Sequence, residues 1–313
     1  MYRPFPRSGQ ATRSPGGFTL VELLIVISII AGLMAMITVV AANMITTART
    51  AATRGTILKV HQMLEERRDA FVYYQLQRGQ IASAISVVKN SGPYNDRQAR
   101  QLAPVVARKL LFKQALPQHH GERSLSNPNA TPPIVNQIKN ADSSELLYWF
   151  LTSSTAFGIP AEGSFQFNGS ELGDTDKDGL LEIIDGWGQP LRFYRWPTRL
   201  VRPGGPGQTI QGAHATRARV LLGDASYDRF NEDPDDDPLR RFGQWVQAVG
   251  NESFFHTPDT WHAPLVLSAG PDGETGLYEP HDTANLGHLA APTGADQSLY
   301  DNITNQNINI GSN

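Results

Sequence analysis

The longest apolar stretch of the chain lies close to its N-terminus. It runs from Phe18 to Ala42 and is interrupted by Thr19, Glu22, Ser28, Gly32 and Thr38. About 20 apolar residues are enough for a helix to cross a bilayer, whereas a secretory signal has a shorter apolar core followed by small residues that mark its cleavage site. The pattern therefore predicts a membrane helix that the mature protein keeps.

The helical pattern continues beyond this membrane segment. From Ala42 to about Leu76 the sequence contains no proline, and charged residues separate apolar residues that keep helical spacing. The apolar positions are Ile57, Val60, Leu64 and Phe71. This periodicity predicts that the same helix extends into a soluble domain and buries one face there.

Two further helical regions are predicted in the soluble part. Residues 97–115 are expected to form one or two short helices interrupted at Pro104, because proline breaks or kinks a helix interior. Asp142 and Glu145 have the spacing of a capping box that opens a helix from Ser143 to Phe157. We expect the apolar face of that helix to pack on the long helix, with four residues contributing, Leu146, Leu147, Phe150 and Leu151.

Short β-prone runs follow the helices, each bounded by Gly, Pro or Asp. They are Leu191–Trp196, Ala218–Leu222 and Pro264–Ser268. A small antiparallel sheet is the simplest arrangement for such runs, so the predicted fold class is α+β. The Gly- and Pro-rich stretch 202–212 and the acidic stretch 231–238 are predicted to be solvated loops without chemistry.

Composition and charge mainly exclude function classes. With 313 residues and 40% apolar content the chain can bury a core of its own. It contains no cysteine, which excludes disulfides and thiolate metal sites. A formal net charge of -3 offers no basic surplus for nucleic acid. Residues 1–17 carry three arginines and no acid, which favours a cytoplasmic location for this end.

Glu22 is the unusual residue of the membrane segment, because a carboxylate there is costly unless it is paired. The segment Gly16 to Leu24 (GGFTLVELL) resembles the prepilin peptidase recognition sequence of type IV pilins and type II secretion pseudopilins. The resemblance implies cleavage after Gly17, N-methylation of Phe18, and pairing of Glu22 with the Phe18 amine of a neighbouring subunit. The alternative is an ordinary signal anchor with an incidental glutamate.

The resemblance also implies an organisation for the whole chain. The expected fold is a pilin-like lollipop, in which a long N-terminal helix packs on a small antiparallel sheet domain. Residues 1–17 would be the leader, 18–42 the transmembrane assembly helix, 43–76 its soluble continuation, and 77–313 a periplasmic domain with loop insertions. The expected location is the bacterial inner membrane and then a filament. The expected partners are prepilin peptidase, other pilin-like subunits, an inner-membrane assembly platform and lipid.

Two downstream motifs favour one branch of this family. Asp185 to Pro190 (DGWGQP) resembles the Trp-Gly-x-Pro turn of the major pseudopilin of type II secretion, and Ser268 to Gly276 resembles its C-terminal Asp-Gly loop. The chain is about twice as long as that resemblance would suggest. A type II secretion pseudopilus subunit is the leading interpretation, and a type IV pilus subunit or a membrane-anchored calcium-binding or sensor protein are the alternatives.

An acidic loop from Asp174 to Asp185 has the form of an EF-hand calcium loop, with acids at the first, third and fifth positions and glycine at the sixth. The flanking sequences do not look helical, so an isolated loop is expected. The candidate ligands are the side chains of Asp174, Asp176, Asp178, Glu182 and Asp185 and the carbonyl of Leu180.

Two alternatives to this calcium loop remain. Asp and Gly residues also form turns in which the aspartates satisfy their own backbone, without any ion. In the pseudopilins that the chain resembles, calcium is bound by the C-terminal loop instead, which makes Asp272 a second candidate ligand.

No common enzyme signature is present. The sequence lacks a Gly-x-Ser-x-Gly elbow, a phosphate-binding Gly-x-x-x-x-Gly-Lys and a His-Glu-x-x-His motif. His256, Asp259 and His262 are the best remaining metal-binding group, and histidines in a polar loop more often have no special role. We therefore expect a structural subunit rather than an enzyme.

Overall fold

A computed structural model provides the coordinates. It describes residues 19–120, 122, 141–161, 163–195, 264–281 and 301–306. The chain divides into two compact units, residues 1–47 and residues 48–313. Helix α1 runs from Leu20 to Tyr73, and its first part lies in the first unit. The prediction that the long apolar helix continues beyond residue 42 is confirmed.

The first part of α1 is long and apolar enough to cross a membrane, and its most apolar stretch is not buried among the residues that the structure describes. The hydroxyl groups of two polar residues inside the apolar run form hydrogen bonds within the same helix. Ser28 donates to the carbonyl of Leu24 and Thr38 donates to that of Met34, both at 2.7 Å. Polar groups in hydrocarbon must find such internal partners, so this surface is compatible with lipid.

The later part of α1 is the central element of the second unit. Ile57, Val60, Leu64 and Phe71 are all buried, as their spacing predicts. The helix ends at Tyr73, slightly earlier than expected. At the helix end, Arg108 donates to the carbonyls of Phe71 (3.2 Å) and Tyr74 (3.3 Å), and the Phe71 carbonyl also accepts from the Tyr74 N–H at 3.1 Å.

Helices α2 (Arg78–Ser91) and α3 (Asp96–Ala115) pack together through a second apolar cluster. The sequence pattern did not predict α2. Asn95 caps the start of α3. Its side-chain Oδ1 accepts from the backbone N–H of Gln98 at 2.9 Å, and the Gln98 side-chain Oε1 accepts from the backbone N–H of Asn95 at 3.0 Å.

The predicted interruption at Pro104 is wrong, because α3 is continuous through it. Proline removes one intrahelical hydrogen bond and crowds the preceding turn, at a cost of roughly 3 kcal/mol. Buried residues on both sides of the proline offset that cost, since they stabilise a helical path that packs against α2. These residues are Leu102, Ala103, Val106 and Ala107.

Helix α4 (Asp142–Ser153) differs from its prediction at both ends. The expected capping box is wrong: Ala141 holds the N-cap position, and Asp142 and Glu145 are buried within the helix. The helix ends at Ser153 because Ser154 is already extended (φ -113°, ψ 137°). It cannot resume at Phe157 (φ 54°) and Gly158 (φ 88°), whose left-handed conformations a right-handed helix cannot contain.

The apolar face of α4 packs on α1, as predicted. Leu147, Phe150 and Leu151 belong to the same buried cluster as Ile57 and Val60 of α1. Polar contacts join the two helices as well. The buried Arg67 of α1 donates to the carbonyl of Leu151 at 2.9 Å.

Two small antiparallel sheets complete the described fold. Strands β1 (Leu172–Gly173) and β2 (Glu182–Ile183) form a hairpin. Strands β3 (Arg192–Tyr194), β4 (Leu265–Ser268) and β5 (Ile303–Thr304) form a second sheet in that order, with Phe193 opposite Val266 and Ser268 opposite Ile303. The α+β class and two of the three predicted strands are confirmed; Ala218–Leu222 lies outside the described residues, and β5 was not predicted.

The Trp-Gly turn docks directly on α1. Asp185 Oδ1 accepts from the backbone N–H groups of Trp187 (2.8 Å) and Gln189 (3.0 Å), which closes the turn. Gly186 donates its N–H to Thr53 Oγ1 at 2.9 Å, and a Cβ at this position would meet the backbone of Arg49. Glycine is therefore required for the close approach of the turn to the helix.

Replacing Gly186 with alanine is expected to destabilise the protein by about 1–3 kcal/mol, because the added methyl group meets rigid helix backbone. The matched control is Gly55→Ala in α1, where no atom lies within 4 Å of the added Cβ. That control is expected to stabilise by about 0.5–1 kcal/mol. Thermal unfolding of the detergent-solubilised full chain measures both, and equal stability of the two variants would contradict the docking.

A buried ion pair links the segment after α3 to the end of β3. Arg195 donates to both carboxylate oxygens of Glu122, at 2.6 and 2.8 Å, and to the carbonyl of Leu116 at 2.8 Å. Gln118 adds a backbone N–H at 2.8 Å. Burial alone would raise the pKa of Glu122, but the guanidinium and these hydrogen bonds outweigh it and lower the pKa to about 2.

This pair gives stability a specific pH dependence. Because the folded pKa of Glu122 lies below its unfolded value, the stabilisation is complete above about pH 4.5 and is lost as pH falls toward about 2, amounting to about 3 kcal/mol. We expect Glu122→Gln to be destabilised by about 3–5 kcal/mol at neutral pH, with the difference from wild type closing in acid. Urea unfolding at a series of pH values tests this, with the exposed Glu66→Gln as control; a pH-independent difference would contradict it.

Candidate functional site

The N-terminus of α1 is closed by a reciprocal pair of hydrogen bonds between Thr19 and Glu22. Thr19 Oγ1 accepts from the Glu22 N–H at 3.2 Å. Glu22 Oε2 in turn accepts from the Thr19 N–H at 2.8 Å and from its hydroxyl at 2.9 Å. This is a capping box, and it places a carboxylate at the positive end of the helix dipole.

The capping role of Glu22 was missed at the level of sequence, although Thr-x-x-Glu directly before an apolar run is its ordinary signal. Both residues are exposed, and the hydrogen bonds of Glu22 among the described residues go to Thr19 alone. The carboxylate is thus satisfied locally and still accessible to a group from another molecule. Gly17 and Phe18, the predicted processing residues, lie outside the described residues.

A second site is formed where α4 meets the β1–β2 hairpin. Glu145 of α4 and Asp176, Asp178 and Glu182 of the hairpin each offer a carboxylate oxygen, and these four atoms all lie within 4.8 Å of one another. No α-helix borders the hairpin loop among the described residues, as predicted, but the short strands β1 and β2 on either side of it were not predicted. Three of these four acids, Asp176, Asp178 and Glu182, are among the predicted calcium ligands.

Asp174 and Asp185, two of the other predicted ligands, lie outside this group. Asp174 closes the loop, accepting from the N–H groups of Asp178 (3.0 Å) and Gly179 (3.2 Å). Asp185 closes the Trp-Gly turn, and its second oxygen accepts from the Ser268 hydroxyl at 2.7 Å. Leu180 donates its N–H to Asp178 Oδ1 at 2.8 Å. Asp174 and Asp185 of the EF-hand-like sequence therefore stabilise the backbone of the loop and of the following turn by hydrogen bonds.

Glu145 was missed as a member of the site because it lies about 30 residues earlier in the chain and was assigned to a helix cap. The sequence feature that points to its role is a carboxylate inside a strongly apolar helix, since such a group is rarely buried without a partner. Its oxygen Oε2 contacts His120 Nε2 at 2.7 Å. His120, Asp142 and Glu145 form a second group with metal-ligand spacing.

The acidic site is electrostatically strained. Glu182 has no exposed surface, and burial raises its pKa to about 7, with the charges of Glu145 and Asp176 adding to the effect. Burial also raises the pKa of Glu145, against the opposing contact with His120. Glu182 Oε2 accepts from the Thr175 N–H at 2.7 Å. The Oε1 atoms of both glutamates are buried without a hydrogen-bond partner among the described residues.

Asp272, the second candidate calcium ligand, lies in an exposed turn. Its Oδ1 accepts from the N–H of Glu274 at 2.8 Å. Asp301 is a second acid near Asp272. Burial raises the pKa of Asp301, and the negative charge of Asp272 raises it further. Among the described residues, Asp272 belongs to neither of the two groups with metal-ligand spacing.

Several sequence predictions fall outside the described residues. They concern the possible metal ligands His256, Asp259 and His262 and the loops 202–212 and 231–238.

Comparison with known proteins identifies the N-terminal segment. Residues 12–38 match the family model of the prokaryotic N-terminal methylation motif, the signature of the prepilin-type cleavage segment of type IV pilins and pseudopilins. No curated protein and no solved structure matches the chain. The matched range contains Gly17, Phe18 and Glu22, the three residues that the sequence analysis selected for processing and assembly.

Proposed function

We propose that this type IV pilin-like chain is a structural subunit of a type II secretion pseudopilus, processed by prepilin peptidase and assembled through its N-terminal helix. The observation that carries the proposal is the methylation motif over residues 12–38, joined to a helix whose apolar surface its own chain leaves exposed. Cleavage after Gly17 removes the basic leader and makes Phe18 the new N-terminus, where it is methylated.

The apolar surface of the first part of α1 supports assembly. Large apolar side chains are exposed along it from Leu20 to Ile45. Lipid covers such a surface while the subunit resides in the membrane, and apolar area of this kind leaves lipid for water only at a large cost. The helices of neighbouring subunits supply the replacement cover in a filament.

Glu22 supports the same conclusion through its charge. In a packed bundle of apolar helices an unpaired carboxylate is costly, and so is the positive charge of the Phe18 amine. Pairing Glu22 of one subunit with the Phe18 amine of its neighbour resolves both costs and sets the axial register. Before assembly, the contact with Thr19 stabilises the carboxylate in the single subunit.

The downstream motifs favour secretion over motility or adhesion. The Trp-Gly turn that resembles that of the major pseudopilin docks on α1 at Thr53, and the Asp-Gly loop follows β4. A type IV pilus subunit is the alternative, since its N-terminal segment would be the same. No catalytic role is proposed, because the motif is that of structural subunits.

Glu22→Ala is expected to leave cleavage intact and to reduce assembly by about 100-fold or more, because an unpaired buried charge costs about 3–5 kcal/mol. The measurement is the yield of sheared filaments, beside the mass of the membrane-bound subunit. Ser28→Ala is the matched control, since it removes only a hydroxyl bonded within the same helix. Filaments at wild-type yield from Glu22→Ala would contradict the pairing.

Deleting the gene in the source bacterium separates the two filament types. A pseudopilus subunit is expected to be required for the release of exported proteins into the medium, with surface pili retained. Loss of surface pili with normal secretion would replace the pseudopilus by the pilus interpretation. Normal secretion and normal pili, with no filament containing the subunit, would favour an anchored binding or sensor protein.

A further inference from the structure

We propose that the four carboxylates of Glu145, Asp176, Asp178 and Glu182 bind one calcium ion, which joins α4 to the β1–β2 hairpin. The inference does not depend on the proposed function, because it concerns the second unit alone. It also differs from the sequence prediction, since it replaces Asp174 and Asp185 by Glu145 as a ligand.

The geometry is that of a cation site. One oxygen from each of the four side chains lies within 4.8 Å of the others, so a single ion can contact all four after small side-chain adjustments. Glu145 and Glu182 are both more than nine-tenths buried. Each has an Oε1 atom without a hydrogen-bond partner among the residues that the structure describes. Buried carboxylate oxygens of this kind require a positive charge or a proton.

The donor set selects the class of ion. All four ligands are carboxylates, and hard cations prefer oxygen ligands, whereas zinc and copper sites contain nitrogen or sulfur. Calcium accepts six to eight oxygens in flexible geometry, and magnesium demands a tight octahedron. Asp178 is half-buried, so water can complete the shell on its side. Calcium is therefore the expected ion.

Binding would reinforce a connection that the fold already makes through packing and through the hydrogen bond that Ser144 of α4 donates to the carbonyl of Ile183 of β2, at 2.8 Å. Glu145 belongs to α4, which packs on α1, and Glu182 begins β2, which leads into the Trp-Gly turn on Thr53. A calcium ion would therefore hold the hairpin to α1 in two ways, through α4 and through the Trp-Gly turn. Extracellular calcium sites have affinities of about 10⁻⁴ to 10⁻³ M, which suits a domain exposed outside the cytoplasm.

The test uses the purified full chain in detergent after EDTA treatment. Isothermal titration with calcium chloride is expected to show one saturable site, and a calcium concentration about 100-fold above Kd is expected to raise Tm by about 5–10 °C. Magnesium chloride is expected to give a smaller rise. Glu182→Gln is expected to lower calcium affinity at least about 10-fold and to raise Tm in EDTA, since it removes one of four crowded negative charges.

A second ligand variant and a matched control make the result decisive. Asp178→Asn, at a half-buried position, is expected to weaken binding even where Glu182→Gln folds poorly. Asp272→Asn, in the other acidic loop, is expected to bind calcium as the wild type does. Binding that survives Glu182→Gln and Asp178→Asn but is lost in Asp272→Asn would overturn the proposal and move calcium to the C-terminal loop. Absence of calcium binding in the folded wild-type chain would overturn it as well.

Discussion

The first part of α1 carries a large apolar surface that the part of the chain described by the structure leaves exposed. Its side chains from Leu20 to Ile45 are exposed, and water is an unfavourable environment for so large a surface. The polar residues within it do not disturb a hydrocarbon environment, since Ser28 and Thr38 bond to their own helix. The same surface suits lipid and, later, the helices of other subunits, which is the requirement for a pilin-like precursor.

In the second unit, apolar and polar contacts both hold the other elements to the later part of α1. Apolar packing with α4 provides the core, and polar contacts fix the loops to it. Lys59 bonds both carboxylate oxygens of Glu171 ahead of the hairpin, at 2.6 and 2.8 Å, and Thr53 holds the Trp-Gly turn. The fold of the second unit therefore depends on the later part of α1.

The sequence predicts those features that depend on periodicity. The long helix, the apolar face of α4 and strands β3 and β4 follow from the spacing of apolar residues along short segments. Features that depend on distant contacts could not be predicted in this way. Pro104 remains within a helix because packing against α2 outweighs local propensity, and β5 forms in a polar tail because Asn305 bonds the backbone of Val266 and Pro264 beside β4. Glu145 joins the acidic site for the same reason, since only the tertiary fold brings it to Asp176.

The central claim is that the chain is a precursor whose leader is removed at the methylation motif. The most direct measurement is the intact mass of the protein from membranes, with and without co-expressed prepilin peptidase, for the wild type and for Gly17→Ala. The account predicts a wild-type chain that begins at N-methylated Phe18 and a variant that remains uncut. A wild-type chain that keeps residues 1–17 in the presence of the peptidase would contradict it and would leave a signal-anchored protein in its place.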